Sequence, residues 1–161
     1  MEIIELEGNL LDSKDNIIAH QCNCRGSFAS GVAKAVREKW PLVYQKYREA
    51  FYKSNTSKDL LGKIQVVKLT REQRVVNLFA QENYGYDGER YTSYDALDKC
   101  LKKLSSYCVE NKLSTVSIPY KMSSDRGGAD WDVVLALIKS AFKDTDIKIT
   151  TWKLTKDQTE I

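Results

Sequence analysis

The segment from Ile17 to Pro41, IIAHQCNCRGSFASGVAKAVREKWP, restricts the fold more than any other part of the chain. An apolar run suited to a buried strand passes into a small-residue loop bearing glycines. That loop feeds a stretch with helical spacing and a basic outer face. A strand, loop and helix in this order put the loop at the carboxyl end of the strand. There the free backbone N–H groups and the dipole of the following helix favour an anion, and phosphate is the expected guest.

A chain of 161 residues is long enough for one hydrophobic core and short for two. We read a single domain over residues 1–155, followed by a polar tail, 156–161, that is expected to fray. With 42% hydrophobic and 29% charged residues the composition is that of an ordinary globule, which excludes a disordered chain. No apolar run approaches the ~20 residues needed to span a bilayer. The start MEIIELEGN has no basic, signal-like leader, so a cytoplasmic protein without a membrane partner is expected. The net charge of +3 is spread along the sequence, with only short clusters such as Lys102-Lys103, and does not mark a nucleic-acid surface. Cys22, Cys24, Cys100 and Cys108 are expected as reduced thiols, two in the strand and loop and two on one side of a helix.

In chain order, EIIEL at residues 2–6 reads as a strand that runs into a turn over residues 8–12, and NIIAHQC as a second strand. The helix SGVAKAVREKW is ended or kinked by Pro41. A further helix, PLVYQKYREAFYK, can set Leu42, Tyr44, Tyr47 and Phe51 on one side. KIQVVKL and RVVNLFAQ are β-branched runs joined by Thr70-Arg71-Glu72-Gln73, which predicts an antiparallel hairpin. Residues 82–92, ENYGYDGERYT, form a long loop of functional type. Thr92 or Ser93 then caps a helix whose apolar positions are Leu97, Leu101, Leu104 and Cys108. STVSIPY returns as a strand and opens into KMSSDRGGAD, a second small-residue loop. Asp130 is the expected cap of the next helix, with Trp131, Val134, Leu135, Ile138 and Phe142 as its buried stripe. DIKITTWKL supplies the last strand. The alternation of strands and helices argues for an α/β sandwich with a mixed sheet, parallel in its centre.

Right-handed crossovers bring the loops after parallel strands to one edge of the sheet, where α/β proteins bind ligands. The Gly26–Gly31 and Ser123–Gly128 loops both fit that position, and together they could clasp one phosphorylated ligand with backbone donors. Gly26 and Gly31 have the spacing of a Walker A loop, but Val32 and Ala33 stand where its Lys and Ser/Thr belong. Neither loop carries the dinucleotide fingerprint.

The segments HQCNCRGSFASGVA, RYTSYDAL and IPYKMSSDRGGADW resemble the three signature segments of macrodomains. The likeness is strongest to the ADP-ribose 1''-phosphate phosphatase branch with its bacterial and phage relatives, and it runs from Gly8 to Trp152. The resemblance implies a three-layer α/β/α domain that binds ADP-ribose, or a derivative of it, in a cleft on the carboxyl edge of the sheet. It implies that Asn9 stands where the family has an Asp that accepts from the adenine amino group, with Leu10 offering its backbone. Asn23 matches the residue that reaches the distal ribose. Ser30, Gly31 and Val32 would line the diphosphate, and Ser123, Ser124, Gly127 and Gly128 would form the second phosphate clamp. Trp152 is placed to cover adenine, and Tyr84 or Tyr86 to wall the distal ribose.

His20, the single histidine of the chain, aligns with a histidine proposed to be catalytic in the phosphatase branch. A neutral imidazole beside a phosphate can act as acid or base near pH 7, while the alternative is a strand histidine that orders the loop. The second loop departs from the family pattern, with Met122-Ser123-Ser124-Asp125-Arg126 in place of a glycine-rich run. Arg126 could pair with phosphate and Asp125 could serve as general base, or the two could pair with each other or face solvent. The lysine nucleophile of one ester-cleaving branch has no clear counterpart. His20, Cys22 and Cys24 share a strand face, but no fourth ligand follows, so neither metal nor cofactor is expected.

Three functions are compatible with these residues. The first is a metal-independent hydrolase acting on the distal end of an ADP-ribose derivative, by removing a 1''-phosphate or by releasing ADP-ribose from an ADP-ribosylated protein. The second is a binder of ADP-ribose, or of an NAD-derived signal, without turnover. The third and weakest is RNA binding.

Overall fold

The computed structural model describes residues 1–154 apart from Ser30, Tyr86, Gly88, Asp125 and Arg126. The expected tail, 156–161, lies outside the described residues. Among the described residues six strands, β1 (Glu2–Glu7), β2 (Ile17–Asn23), β3 (Ile64–Lys68), β4 (Arg74–Gln81), β5 (Thr115–Pro119) and β6 (Lys148–Lys153), form one sheet in the order β1-β6-β5-β2-β4-β3. Every neighbouring pair is parallel except β3 and β4. Those two form the hairpin predicted around residues 70–73, closed by the Leu69 and Thr70 N–H groups on the Gln73 carbonyl.

Four helices among the described residues cover the sheet: α1 (Gly31–Lys39), α2 (Pro41–Lys53), α3 (Tyr94–Glu110) and α4 (Trp131–Phe142). Alternation along β2 and β4 divides the core between the two faces. Ile17, Ala19, Val76, Leu78 and Ala80 pack beneath α3 and α4, against Leu97, Leu101, Leu104, Val134, Ile138 and Phe142. Ile18, Cys22, Val75 and Phe79 pack beneath α1 and α2, against Val36, Val43 and Tyr47. The result is a three-layer α/β/α sandwich, each fully buried aliphatic side chain contributing roughly 2 kcal/mol.

Local chemistry explains the helix starts. Pro41 occupies the first turn of α2, where its missing N–H costs nothing. The Ser93 side chain accepts from the Ala96 N–H at 3.1 Å, which makes Ser93 rather than Thr92 the cap of α3. Asp130 caps α4 through the Asp132 N–H at 2.9 Å, as expected. Of the stripe predicted for α2, Tyr47 is buried and Tyr44 and Phe51 are half-buried, and only Leu42 is out of place. Val43 and Tyr47 are buried, whereas Leu42 is 45% exposed. Residues four apart share a helix line, and turning the 43–47 line onto the sheet swings Leu42 about 100° away from it.

One irregularity positions everything that follows. β2 and β5 pair at Ile17 with Val116 and at Ile18 with Ser117, and there the pairing ends. β2 continues along β4 as far as Asn23, with a register shift after Cys22. The chain leaves β2 through α1 and α2 toward β3, and leaves β5 through α4 toward β6 on the other side. Connections that depart in opposite directions open a crevice at the carboxyl ends of the two strands, the usual ligand position in an open α/β sheet. No helix among the described residues is long and apolar enough to cross a membrane.

Candidate functional site

Two loops follow the strands at this switch point, the first after β2 and the second after β5. The first is shaped by Asn23. Its Oδ1 accepts from the Tyr47 hydroxyl at 2.7 Å and from the Arg25 N–H at 3.0 Å, and its Nδ2 donates to the Ser27 carbonyl at 2.8 Å. Tyr47 is fully buried on α2, stacked on Phe28 with ring centroids 4.1 Å apart, and burial holds its phenol protonated. Gly26 has a φ of +75°, and a β-carbon there would lie within 2.8 Å of Arg48 and Phe51. Arg48 donates to the Gly26 carbonyl from above. The loop then enters α1 at Gly31, whose φ is +61°, and Val32 follows in the first turn, partly buried. Lys39 at the far end of α1 donates to the Leu11 carbonyl at 2.6 Å, tying the helix to the turn after β1.

His20 lies beneath the first loop and is 1% exposed. Its Nε2 is 2.7 Å from Asn77 Oδ1, its ring meets Phe28 edge-on at 5.4 Å, and the Cys22 sulfur is 3.6 Å from Nε2. Asn77 in turn donates to Gln65 Oε1 at 2.9 Å. Since a second amide group holds Nδ2, Oδ1 faces the ring and can only accept, so Nε2 carries the proton. Desolvation lowers the His20 pKa to about 4, against the smaller raising effect of the Asn77 bond. Burial also pushes the Cys22 thiol well up. At neutral pH this is an uncharged ring sealed under the loop. Among the described residues no three His, Cys, Asp or Glu side chains converge as metal ligands would.

The second loop is held by groups that the sequence alone did not single out. Gln21, on β2, donates through Nε2 to Gln81 Oε1 and to Thr92 Oγ1, both at 2.8 Å, and accepts the Ser123 hydroxyl on Oε1. The Ser123 carbonyl accepts from Thr92 Oγ1 at 3.1 Å and from the Ala129 N–H at 2.9 Å. The Gly127 carbonyl receives the Tyr91 and Thr92 N–H groups at 2.8 and 2.9 Å. A β-carbon on Gly127 would lie 2.1 Å from Thr92 Oγ1 and 2.6 Å from the Ser123 carbonyl. Gly128 has a φ of +69°. The Ser124 hydroxyl is buried with no partner among the described residues. The available signal for Gln21 was its parity: it shares a strand face with the core residues Ile17 and Ala19, where a polar side chain requires partners.

At the other end of the edge, Asn9 caps a 3-10 turn, Leu10–Asp12, through the Leu11 N–H at 2.9 Å. Leu10 is buried. Trp152, near the end of β6, is half-buried, and its Nε1 donates to Ser117 Oγ at 2.9 Å. Its ring lies against Gly8, where a β-carbon would approach to 3.0 Å. Ser117 itself donates to Asp15 at 2.6 Å and lies 2.7 Å from Ser13 Oγ, so the ring plane of Trp152 is pinned from below.

Of the residues expected to bind or act, Asn23, Gly31 and Val32 thus belong to the first loop and its helix, and Ser123, Ser124, Gly127 and Gly128 to the second. Asn9, Leu10 and Trp152 stand at the β1–β6 side. Tyr84 is 51% exposed in the 82–92 loop, and its backbone N–H donates to Asn83 Oδ1. Ser30, Tyr86, Asp125 and Arg126 lie outside the described residues. A hollow of about 440 Å³, lined by residues 90–95, opens at the start of α3 rather than between the loops.

Comparison with known proteins agrees with this architecture. The family profile described as Macro domain matches residues 19–138. A protein of Meyerozyma guilliermondii named ADP-ribose 1''-phosphate phosphatase is 36% identical over 93 residues, 55% of this chain and 51% of that protein. The human protein named ADP-ribose glycohydrolase OARD1 is 34% identical over 62 residues, 38% of this chain and 40% of its own length. The chain spans only 18–51% of the length of the curated phosphatases it matches. Among solved structures, a Bacteroides thetaiotaomicron protein of unknown function superposes with a TM-score of 0.85 at 26% identity, covering 96% of this chain and 99% of that one. Thermosipho africanus DarTG, solved in complex with ADP-ribose, shares the fold with a TM-score of 0.77 at 14% identity, over 97% of this chain and 42% of that one.

Proposed function

The chain belongs to the macro domain family, and on that premise we propose that it binds ADP-ribose or a derivative in the crevice between β2 and β5 and hydrolyses a bond at the distal end of that ligand. The observation that carries the reading is the early end of β2–β5 pairing, with one small-residue loop after each of the two strands. The pyrophosphate would lie between the amino end of α1, with its free N–H groups, and the backbone of the second loop. The base would rest toward Asn9, Leu10 and Trp152. Asn23 would offer its second Nδ2 hydrogen to the distal ribose, the first being spent on Ser27.

The substrate arms of this proposal are an ADP-ribose 1''-phosphate and an ADP-ribosylated protein, the bonds suggested by the names of the two curated relatives. Water is the second reactant, and the two loops stabilise negative charge as it develops. Asp125 is assigned as general base and Arg126 as phosphate partner. His20 is assigned a supporting role, because its ring is buried under the loop with Nε2 committed to Asn77. That same state of His20 favours a second reading, capture of the ligand without turnover.

Calorimetry with ADP-ribose, followed by incubation of the same sample with ADP-ribose 1''-phosphate and with an ADP-ribosylated protein, separates the two. Release of phosphate or of ADP-ribose, lost in Asp125→Ala, supports the hydrolase. Tight binding with no release from either substrate leaves the capture reading. Failure to bind ADP-ribose removes both.

A further inference from the structure

We propose that Gln21 is a positioning residue, which keeps the second loop ready for its ligand by holding Ser123 in a left-handed backbone conformation. The inference rests on the placement of the pyrophosphate argued above.

Ser123 has a φ of +71°. A residue with a β-carbon avoids that region, and such a conformation persists only where its surroundings over-determine it. Here they do. The Ser123 hydroxyl is received by Gln21 Oε1, and its carbonyl is held by Thr92 Oγ1 and by the Ala129 N–H. Gln21 also fixes Thr92 through Nε2, so a single amide braces Ser123 from two directions. Its orientation is set by Gln81, whose Oε1 can only accept and so takes Nε2 as its donor. Gln81 completes the brace from β4, and its own Nε2 is committed to the Asn83 carbonyl at 2.7 Å.

The consequence reaches the ligand side of the loop. Gly127 fits under this brace only because it lacks a β-carbon, which would collide with Thr92, with the Ser123 carbonyl and with Gln21 itself. Ser124, next to the strained residue, turns an unpartnered hydroxyl inward among the described residues. A glycine at 123 would reach the same backbone shape without support. A serine there requires a partner, and β2 provides it from the strand that also begins the first loop.

The test uses Gln21→Met, which keeps a similar side-chain volume and removes every side-chain hydrogen bond, alone and combined with Ser123→Gly. Calorimetry is run with ADP-ribose and with AMP, which lacks the second phosphate and the distal ribose, and amide hydrogen exchange is followed over residues 120–129 without ligand. Gln21→Met is expected to weaken ADP-ribose about tenfold or more, equivalent to about 1.4 kcal/mol. AMP is expected to weaken by less than about threefold, and exchange in the loop to rise. The double variant is expected to regain ADP-ribose affinity, because glycine takes the positive φ without the brace. A structural role alone would weaken both ligands equally and would not be rescued from position 123. Unchanged ADP-ribose affinity in Gln21→Met, or no recovery in the double variant, overturns the inference. If the wild-type chain binds neither ligand, the functional reading fails, and the exchange data then decide the brace: unchanged exchange in Gln21→Met overturns it.

Discussion

His20 shows what burial does to a single residue. In the unfolded chain its pKa is near 6.5, and in the folded chain about 4. Above 6.5 neither state holds the proton, and the residue adds nothing to pH dependence. Between 6.5 and 4 the unfolded state binds more protons, so stability falls as pH drops, by at most about 3 kcal/mol. Asp59 and Asp87, which backbone donors hold below the ordinary 3.8, lose their contribution only at still lower pH. Urea midpoints between pH 7 and 4.5 are expected to fall for the wild type and to fall less for His20→Gln. Equal slopes would refute the assignment. Tyr47→Phe is a second residue-scale case. It removes the hydroxyl between Asn23 and the Ser27 N–H, and is expected to cost about 1–2 kcal/mol in urea unfolding while loosening the first loop. Asn23 was legible as a loop residue, but its dependence on Tyr47 was not, because the two meet only when α2 folds back over β2.

At the scale of elements, the caps and the hairpin follow from neighbours close in sequence and are legible there, with the choice of Ser93 over Thr92 made by the fold. Ser93→Ala removes the acceptor for the Ala96 N–H and is expected to cost about 1 kcal/mol in thermal or urea unfolding. The second loop behaves differently, because its shape depends on three other elements. Gly127→Ala sets a β-carbon against Thr92 and the Ser123 carbonyl, and is expected to cost about 2 kcal/mol or more. It is also expected to weaken ADP-ribose at least tenfold by calorimetry, while leaving the far-ultraviolet circular dichroism unchanged. The departure of this loop from a glycine-rich pattern was visible in the sequence, and the compensation at Gln21 was not. The exposure of Leu42 on α2 has a similar origin. Several apolar residues offered two faces, and packing on the sheet chose the one through Val43 and Tyr47.

For the molecule as a whole, a ligand that binds only the folded state stabilises it by mass action. ADP-ribose at about 100 times its Kd is expected to add about 2.7 kcal/mol and to raise the unfolding temperature in a concentration-dependent way. A flat response in differential scanning fluorimetry would argue against a preformed crevice. The order of strands and helices, their alternation into two buried faces, and the placing of both small-residue loops after parallel strands were determined by the sequence itself. Each depends on periodicity, turn chemistry and capping, which act over a few residues. The tertiary structure alone decided where β2 and β5 part, that His20 is sealed in, and that Gln21 braces Ser123 across 102 residues of chain. Those outcomes depend on which distant groups share one small buried volume, and only closure of both cores around the sheet brings them together.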